Sequence, residues 1–451
     1  MLLLRLVVSV GIFWVTFPPS VTGFTPSQAS TGQRRNLPNV ASGSGSVTNF
    51  MVTADLPRFV DAPEPVVIEE TNNDDDDDDD DGGDKHYPGN VDAYDKDEPP
   101  LLKDVKHLLP TEAFHVDTKT SLLYFAVDVL AVGTGMGFLN AVVTSDLYHS
   151  WPVWQQGLAV APLQVLTGFA MWCTWCIGHD AGHTLVSKNK TYGKLINRIV
   201  GEVTHSMICL TPFVPWAKSH LKHHMGHNHL TRDYSHQWFI REDRDDLHPL
   251  IKLSHATRNV QLPILYLVYL LFGVPDGGHV VFYGRMWENE SLREKFDASL
   301  SVVVSATTAG MLWANMGTAD FAVVCMMPWL VMSFWLFMVT YLQHHSEDNV
   351  LYTDDTWSFE RGAFQTVDRD YGTWINRMSH HLMDGHIVHH LFFTRVPHYR
   401  LEKATRALYS GMAERGQAHL IKSVETKDFA QEIVKQFNDN WFFVDEKQIA
   451  R

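Results

Sequence analysis

Apolar residues in this chain gather into long runs rather than alternating with polar ones, and the polar segments between them are unequal in length and charge. Leu122 to Thr144 and Val153 to Ile177 are each long enough, as helices, to cross about 30 Å of hydrocarbon. A short turn at Asp146 to Pro152 joins them. Ser299 to Ala314 and Phe321 to Leu342 make a second pair, joined around Gly317. Two shorter stretches, Ile199 to Trp216 and Val260 to Val274, are interrupted by Glu202, His205 and prolines, and are expected to lie along the membrane interface. The pattern therefore predicts an all-α integral membrane protein with four transmembrane helices in two hairpins. Neither short turn contains Lys or Arg, whereas 178–298 contains at least a dozen. The positive-inside rule places that long loop and the C-terminal part together on the cytosolic or stromal side.

The first hundred residues follow other rules. Arg5, the apolar core Leu6 to Phe17 and the small residues around Val21-Thr22-Gly23 read as a signal peptide over 1–23. Residues 24–54 have no acidic residue, carry Arg34 and Arg35, and are rich in hydroxyl side chains, as transit peptides are. With Phe24 directly after the expected cut, the arrangement resembles the two-part targeting sequences of algae with secondary plastids. Retention in the endoplasmic reticulum after cleavage would put the long basic loop in the lumen, against the positive-inside count; import into a stroma removes that conflict. The expected location is thus a plastid membrane, with the endoplasmic reticulum as the alternative. Of the formal charge of -16, a segment at 69–98 with 15 Asp/Glu and two Lys supplies -13. Eight consecutive aspartates, Asp74 to Asp81, repel one another and bury nothing, so 55–100 reads as a disordered acidic linker. No basic stripe suggests nucleic acid. The remaining expectation is one membrane domain over 101–415 and a tail over 416–451.

Four cysteines, Cys173, Cys176, Cys209 and Cys325, sit in apolar surroundings and read as small core residues rather than a redox or zinc pair. The chemistry lies in histidine. His179-Asp180-Ala181-Gly182-His183, His220-Leu221-Lys222-His223-His224 and His386-Ile387-Val388-His389-His390 each put imidazoles three and four residues apart, on one helix face. With 25 His in 451 residues, about 0.08 occurrences of HxxHH are expected by chance, and there are two. Neutral imidazole is the commonest side-chain ligand of first-row transition metals, and eight are too many for one tetrahedral zinc but suit two ions. A ninth candidate follows the last span, where either His344 or His345 could ligate and the other would support it. Asp180, Asp368, Asp370 and Asp384 are in sequence reach to orient the rings. His227, His229, His380 and His381 read as hydrogen-bonding or surface residues; His205, His236, His248, His255, His279 and His398 are unassigned. No Ser/His/Asp set, P-loop or GxGxxG competes. Two irons with open positions would explain oxygen activation at a C–H bond, and a membrane setting makes an acyl chain its natural holder.

The three clusters resemble the histidine boxes of the membrane fatty acid desaturases. So do Pro212 to Trp216 before Ser219-His220, Thr366 to Gly372 before the third box, and Pro397-His398-Tyr399 and Glu402-Lys403-Ala404-Thr405 after it. The resemblance covers roughly 100 to 410. It implies four spans under a helical cap that holds a non-haem diiron centre. By position it implies His179, His183, His220, His223, His224, His344, His386, His389 and His390 as ligands, with O2 as co-substrate. Electrons would come from ferredoxin or cytochrome b5, and a cis double bond would form in a lipid acyl chain. Front-end desaturases carry a fused cytochrome b5 domain with HPGG and open the third box with Gln; this chain does neither, and His86-Tyr87-Pro88-Gly89 is not that motif. The methyl-end group, delta-12 (omega-6) or omega-3, fits, and Asp180 leans toward omega-3. Rival readings are a hydroxylase or acetylenase of the same family and, from another class, a histidine-rich metal-binding membrane transporter.

Overall fold

The computed structural model describes residues 97–450 apart from 234, 237, 262–269 and 271–277. The expected signal, the transit-like segment, nearly all of the acidic linker and most of Val260 to Val274 lie outside the described residues.

Among the described residues, three helical stretches are long and apolar enough to cross a membrane: Thr118–Val143 (α1), Val153–Gly182 (α2) and Leu292–His344. Asp117 starts α1 by accepting from the Lys119 amide at 3.0 Å and the Thr120 hydroxyl at 2.7 Å, which satisfies donors that a helix start leaves open. Leu123, Leu130 and Phe138 of α1 face outward, as do Trp154, Leu158 and Leu166 in the first half of α2. From Phe169 onward α2 is enclosed, and Met171, Trp172, Trp175 and Ile177 are buried together with the unpaired Cys173 and Cys176. The apolar surface is therefore open along α1 and the first half of α2, and closed around the second half of α2.

α2 is the central element, packed along α1 on one side and Met327–His344 (α6) on another. Two glycines allow its close approaches. A Cβ at Gly168 would collide with Val331 and the Pro328 carbonyl of α6, and one at Gly178 with Thr204 and the His205 ring. The segment Ile199 to Trp216 is not one apolar run along a surface. Gly193–Gly201 (α3) passes through a widened helical turn, Glu202–Ile208, into Phe213–Gly226 (α4). Within it Thr204, His205 and Trp216 are buried, and the His205 ring stacks on Trp175 at 3.9 Å between centroids.

The third apolar stretch begins with Leu292–Phe321 (α5), capped by a reciprocal Ser291–Glu294 box. It breaks at Gly317, φ 77°, where the turn was expected. Ala309, Leu312 and Met316 before the break share a buried cluster with Phe321, Val324 and Cys325 after it and with Leu139 and Val143 of α1.

Past α6 come His386–Leu391 (α7), His398–Glu414 (α8) and Phe429–Asp439 (α9). The all-α expectation needs one amendment, because among the described residues three short parallel ladders join distant segments. Phe239–Ile240 (β1) pairs with Phe443–Val444 (β5), Leu351–Tyr352 (β2) with Ile449–Ala450 (β6), and Val367–Asp370 (β3) with Lys422–Glu425 (β4). Each ladder has one strand from 416–451, so those residues are part of the cap rather than a tail. Ile433 and Phe437 of α9 are fully buried, and Arg369 of β3, also buried, donates to the Leu342 carbonyl at 2.7 Å, to Thr426 and to Glu432. The C-terminal segment thus ties together three stretches that flank the histidine motifs.

Candidate metal centre

The histidine motifs occupy helix ends that meet. His179 lies on the last turn of α2 and His183 just past it, one helical turn away. His220, His223 and His224 share a face of α4, and His386, His389 and His390 make up half of α7. His344 ends α6. The α6 terminus is fixed to the approach to α7, because the Gln343 amide donates to the carbonyls of Leu382 at 3.2 Å and Met383 at 3.1 Å. The α7 start is fixed in turn by Asp368, which accepts from the Ile387 amide at 2.8 Å and the Tyr409 hydroxyl at 2.9 Å.

These rings fall into two adjoining groups. In the first, ring nitrogens of His179, His183, His220, His224 and His389 all lie within 4.8 Å of one another. The second is made of two overlapping triads, His344 with His386 and His390, and His344 with His223 and His236. The groups touch, with the His224 and His390 ring centroids 4.2 Å apart.

Within them Nε2 atoms converge. His224 Nε2 lies 3.0 Å from His220 Nε2 and 3.1 Å from His389 Nε2; His386 Nε2 lies 3.1 Å from His344 Nε2 and 3.2 Å from His390 Nε2. A ring nitrogen carries either one proton or one lone pair, so it cannot meet two such neighbours with two well-directed hydrogen bonds. A cation between lone pairs satisfies all of them. At a metal–nitrogen distance of about 2.1 Å, ligands at right angles sit about 3.0 Å apart and tetrahedral ones about 3.4 Å. The observed spacings match the former. The residues present fit a metal pair with more than four ligands each.

Burial sets the protonation state that metal binding needs. It drives the imidazolium pKa of His220, His224, His386, His389 and His390 well below the ordinary value, and those of His223 and His236 to about 3, with the other histidines adding repulsion. The rings are neutral and offer lone pairs. Two have an outer partner that fixes the tautomer: His223 Nδ1 donates to Asp233 at 2.8 Å and His386 Nδ1 to the Leu382 carbonyl at 3.0 Å. The Nδ1 atoms of His224, His344, His389 and His390 have no hydrogen-bond partner among the described residues.

The other sequence-selected residues have different surroundings. Asp180 Oδ1 is 3.7 Å from His179 Nδ1, while its Oδ2 accepts from His398 Nδ1 at 2.8 Å and the His398 amide at 2.9 Å. His345 is outside both groups, stacked on Tyr341 at 4.8 Å and beside Trp238. Asp368 holds backbone rather than a ring. Asp370 accepts from the Gly372 amide and the Asn376 side chain, and Asp384 from His381, away from the two groups. Three residues of the site escaped the sequence reading: His236, Asp233 and His398. His236 and Asp233 lie in a loop with no periodic signal. His398 had one, since it sits inside the Pro397-His398-Tyr399 motif. It belongs to a buried file in which His380 meets Asp128 of α1 at 2.7 Å and stands 4.7 Å, ring to ring, from His398.

Long apolar helices that bring two groups of imidazoles together at one end are the mark of a membrane-type protein with a histidine-rich site able to hold metal. Residues 155–422 match the sequence profile of the family described as fatty acid desaturase. The chain is 29% identical over 359 residues, 78% of its length and 88% of the relative's, to a Delta(12) fatty acid desaturase of Caenorhabditis elegans. It is 31% identical over 322 residues, 69% of its length and 76% of the relative's, to an acyl-lipid omega-3 desaturase (cytochrome b5), endoplasmic reticulum, of Arabidopsis thaliana. It is also 31% identical over 325 residues, 70% of its length and 82% of the relative's, to an sn-1 acyl-lipid omega-3 desaturase (ferredoxin) of Nostoc sp. (strain 36). The chain belongs to the fatty acid desaturase family and is an oxidoreductase of lipid metabolism.

Proposed function

We propose that this enzyme places a cis double bond toward the methyl end of a membrane-lipid acyl chain, at an omega-3 or delta-12 position. The net change is –CH2–CH2– + O2 + two electrons + two protons giving –CH=CH– + two H2O. The observation that carries this reading is the convergence of ring nitrogens from the α2 end, α4, α6 and α7 in two adjoining groups at the enclosed end of α2. In this reading His179, His183, His220, His224 and His389 hold one iron, and His223, His344, His386 and His390 hold the other. Bound there, the iron pair supplies the O2 activation that cleavage of an unactivated C–H bond requires. The protein's own part is to keep the rings neutral by burial, to orient His223 through Asp233 and His386 through the Leu382 carbonyl, and to hold the α7 start through Asp368.

The stretch Leu292–His344 would be about 80 Å long as one straight helix, far beyond about 30 Å of hydrocarbon. The break at Gly317 supports two crossings there and four in all, with residues 101–450 as one membrane domain. The basic loop then puts the histidines on the stromal side of a plastid membrane, or the cytosolic side of the endoplasmic reticulum, within reach of ferredoxin or cytochrome b5. Relatives name both donors. Fatty-acid profiling of yeast that express the chain, with and without ferredoxin and its reductase, tests the reading. New dienoic or trienoic acids support it, and a hydroxylated product with no new double bond overturns it.

A further inference from the structure

His236 belongs to none of the histidine motifs. It sits in the loop between α4 and β1, yet its ring nitrogen lies within 4.8 Å of those of His223 and His344. Its ring centroid is 4.7 Å from that of His223 and 4.4 Å from that of His344. The loop is built to hold it there. Asp233 Oδ1 accepts the amide of His236 at 3.0 Å and that of Ser235 at 3.1 Å, and the same oxygen accepts His223 Nδ1 at 2.8 Å. One carboxylate oxygen thereby fixes both the tautomer of His223 and the backbone that carries His236. The two groups are otherwise unequal. The first has five imidazoles; the two triads that share His344 together hold four from the motifs and α6, and five when His236 is counted. Five imidazoles on a six-coordinate ion leave one position open for a small molecule. The nearest competitor, His227, stands 4.5 Å from His390 ring to ring, but its Nε2 faces the Thr366 hydroxyl at 3.5 Å and it joins neither group.

We propose that His236 is a tenth metal ligand, bound to the same iron as His223, His344, His386 and His390. This rests on the diiron reading above. A ligand on a loop, rather than on a helix, makes that iron the one whose retention depends on how the loop is held.

The test uses full-length protein in detergent, loaded with 57Fe, and reads Mössbauer spectra together with iron release to a ferrous chelator. His236→Ala is expected to release one of its two irons at least tenfold faster than wild type while the other leaves at the wild-type rate. His236→Asp, which restores a donor but as an anionic oxygen in place of a neutral nitrogen, is expected to slow that release again and to shift the Mössbauer doublet of one iron only. Wild-type release of both irons from His236→Ala, with an unchanged spectrum, would overturn the proposal. If His236→Ala does not fold, an unchanged spectrum of His236→Asp overturns it equally. Wild-type protein that holds no iron pair would instead overturn the diiron reading itself.

Discussion

Replacement of Asp233 separates orientation of a ligand from stability of the fold. The carboxylate is buried and accepts four donors: His223 Nδ1 at 2.8 Å, and the amides of Ser235, His236 and Asn228 at 3.1, 3.0 and 3.3 Å. Asp233→Ala strands all four. At about 1 kcal/mol each, the lower end of the range for an unsatisfied buried donor, the loss sums to about 4 kcal/mol, a large share of the stability of an ordinary domain. Asp233→Asn is milder. Its amide oxygen can take the Oδ1 place and keep three donors, while its NH2 opposes the Asn228 amide. What it gives up is the charge-assisted bond that orients His223, and loss of such an outer partner lowers metal affinity by about 10- to 100-fold. Iron per chain is then measured against rising ferrous chelator, with thermal unfolding of the metal-free proteins alongside. The expected result is a loss of only about 1 kcal/mol in stability for Asp233→Asn, from the one opposed Asn228 amide, but iron loss at least tenfold earlier, and early unfolding for Asp233→Ala. An Asp233→Asn iron curve that overlays the wild type would refute the claim that this carboxylate positions His223.

Three further outcomes are expected. His344→Ala should leave no detectable product in yeast, whereas His345→Phe, which keeps the stack on Tyr341, should still give readily detectable product; equal loss in both would undo the assignment of His344 over its neighbour. A stop after Leu420 removes β4, α9, β5 and β6, and with them the burial of Ile433, Phe437 and Phe443, about 2 kcal/mol each. The truncated chain should fail to hold iron even when it reaches the membrane, and full iron content would show that the C-terminal segment is dispensable. Acid should destabilise the metal-free protein. His223, His227 and His236 have folded pKa values lowered by burial to about 3, against about 6.5 when unfolded. Between those values the unfolded chain binds more protons, so stability is fully present above about pH 6.5 and falls as pH drops toward 3. A melting temperature flat from pH 7 to pH 4 would contradict the burial of these rings as neutral groups.

What could be read from the sequence follows from how each feature is written in it. His179 and His183, or His220, His223 and His224, repeat at helical spacing, so one helix presents them together and the pattern alone shows a shared face. Gly317 stood between two apolar runs, and its positive φ accounts for the break there. His236 and Asp233 carry no such mark, because a loop has no period and its geometry comes from a hydrogen bond to another element. Asp370 and Asp384 were near the boxes in sequence but face Asn376 and His381, which shows that adjacency along the chain does not fix direction. The strands at 422–425, 443–444 and 449–450 are too short for alternation to register, so residues 416–451 read as a tail although each ladder uses them.

The account depends on two iron ions held by imidazoles from α2, α4, α6 and α7. Metal analysis of the purified full-length protein tests this most directly. It should return about two irons per chain, falling to about one or none in His183→Ala and His389→Ala. A chain that carries zinc alone, or iron that those variants leave untouched, would contradict it.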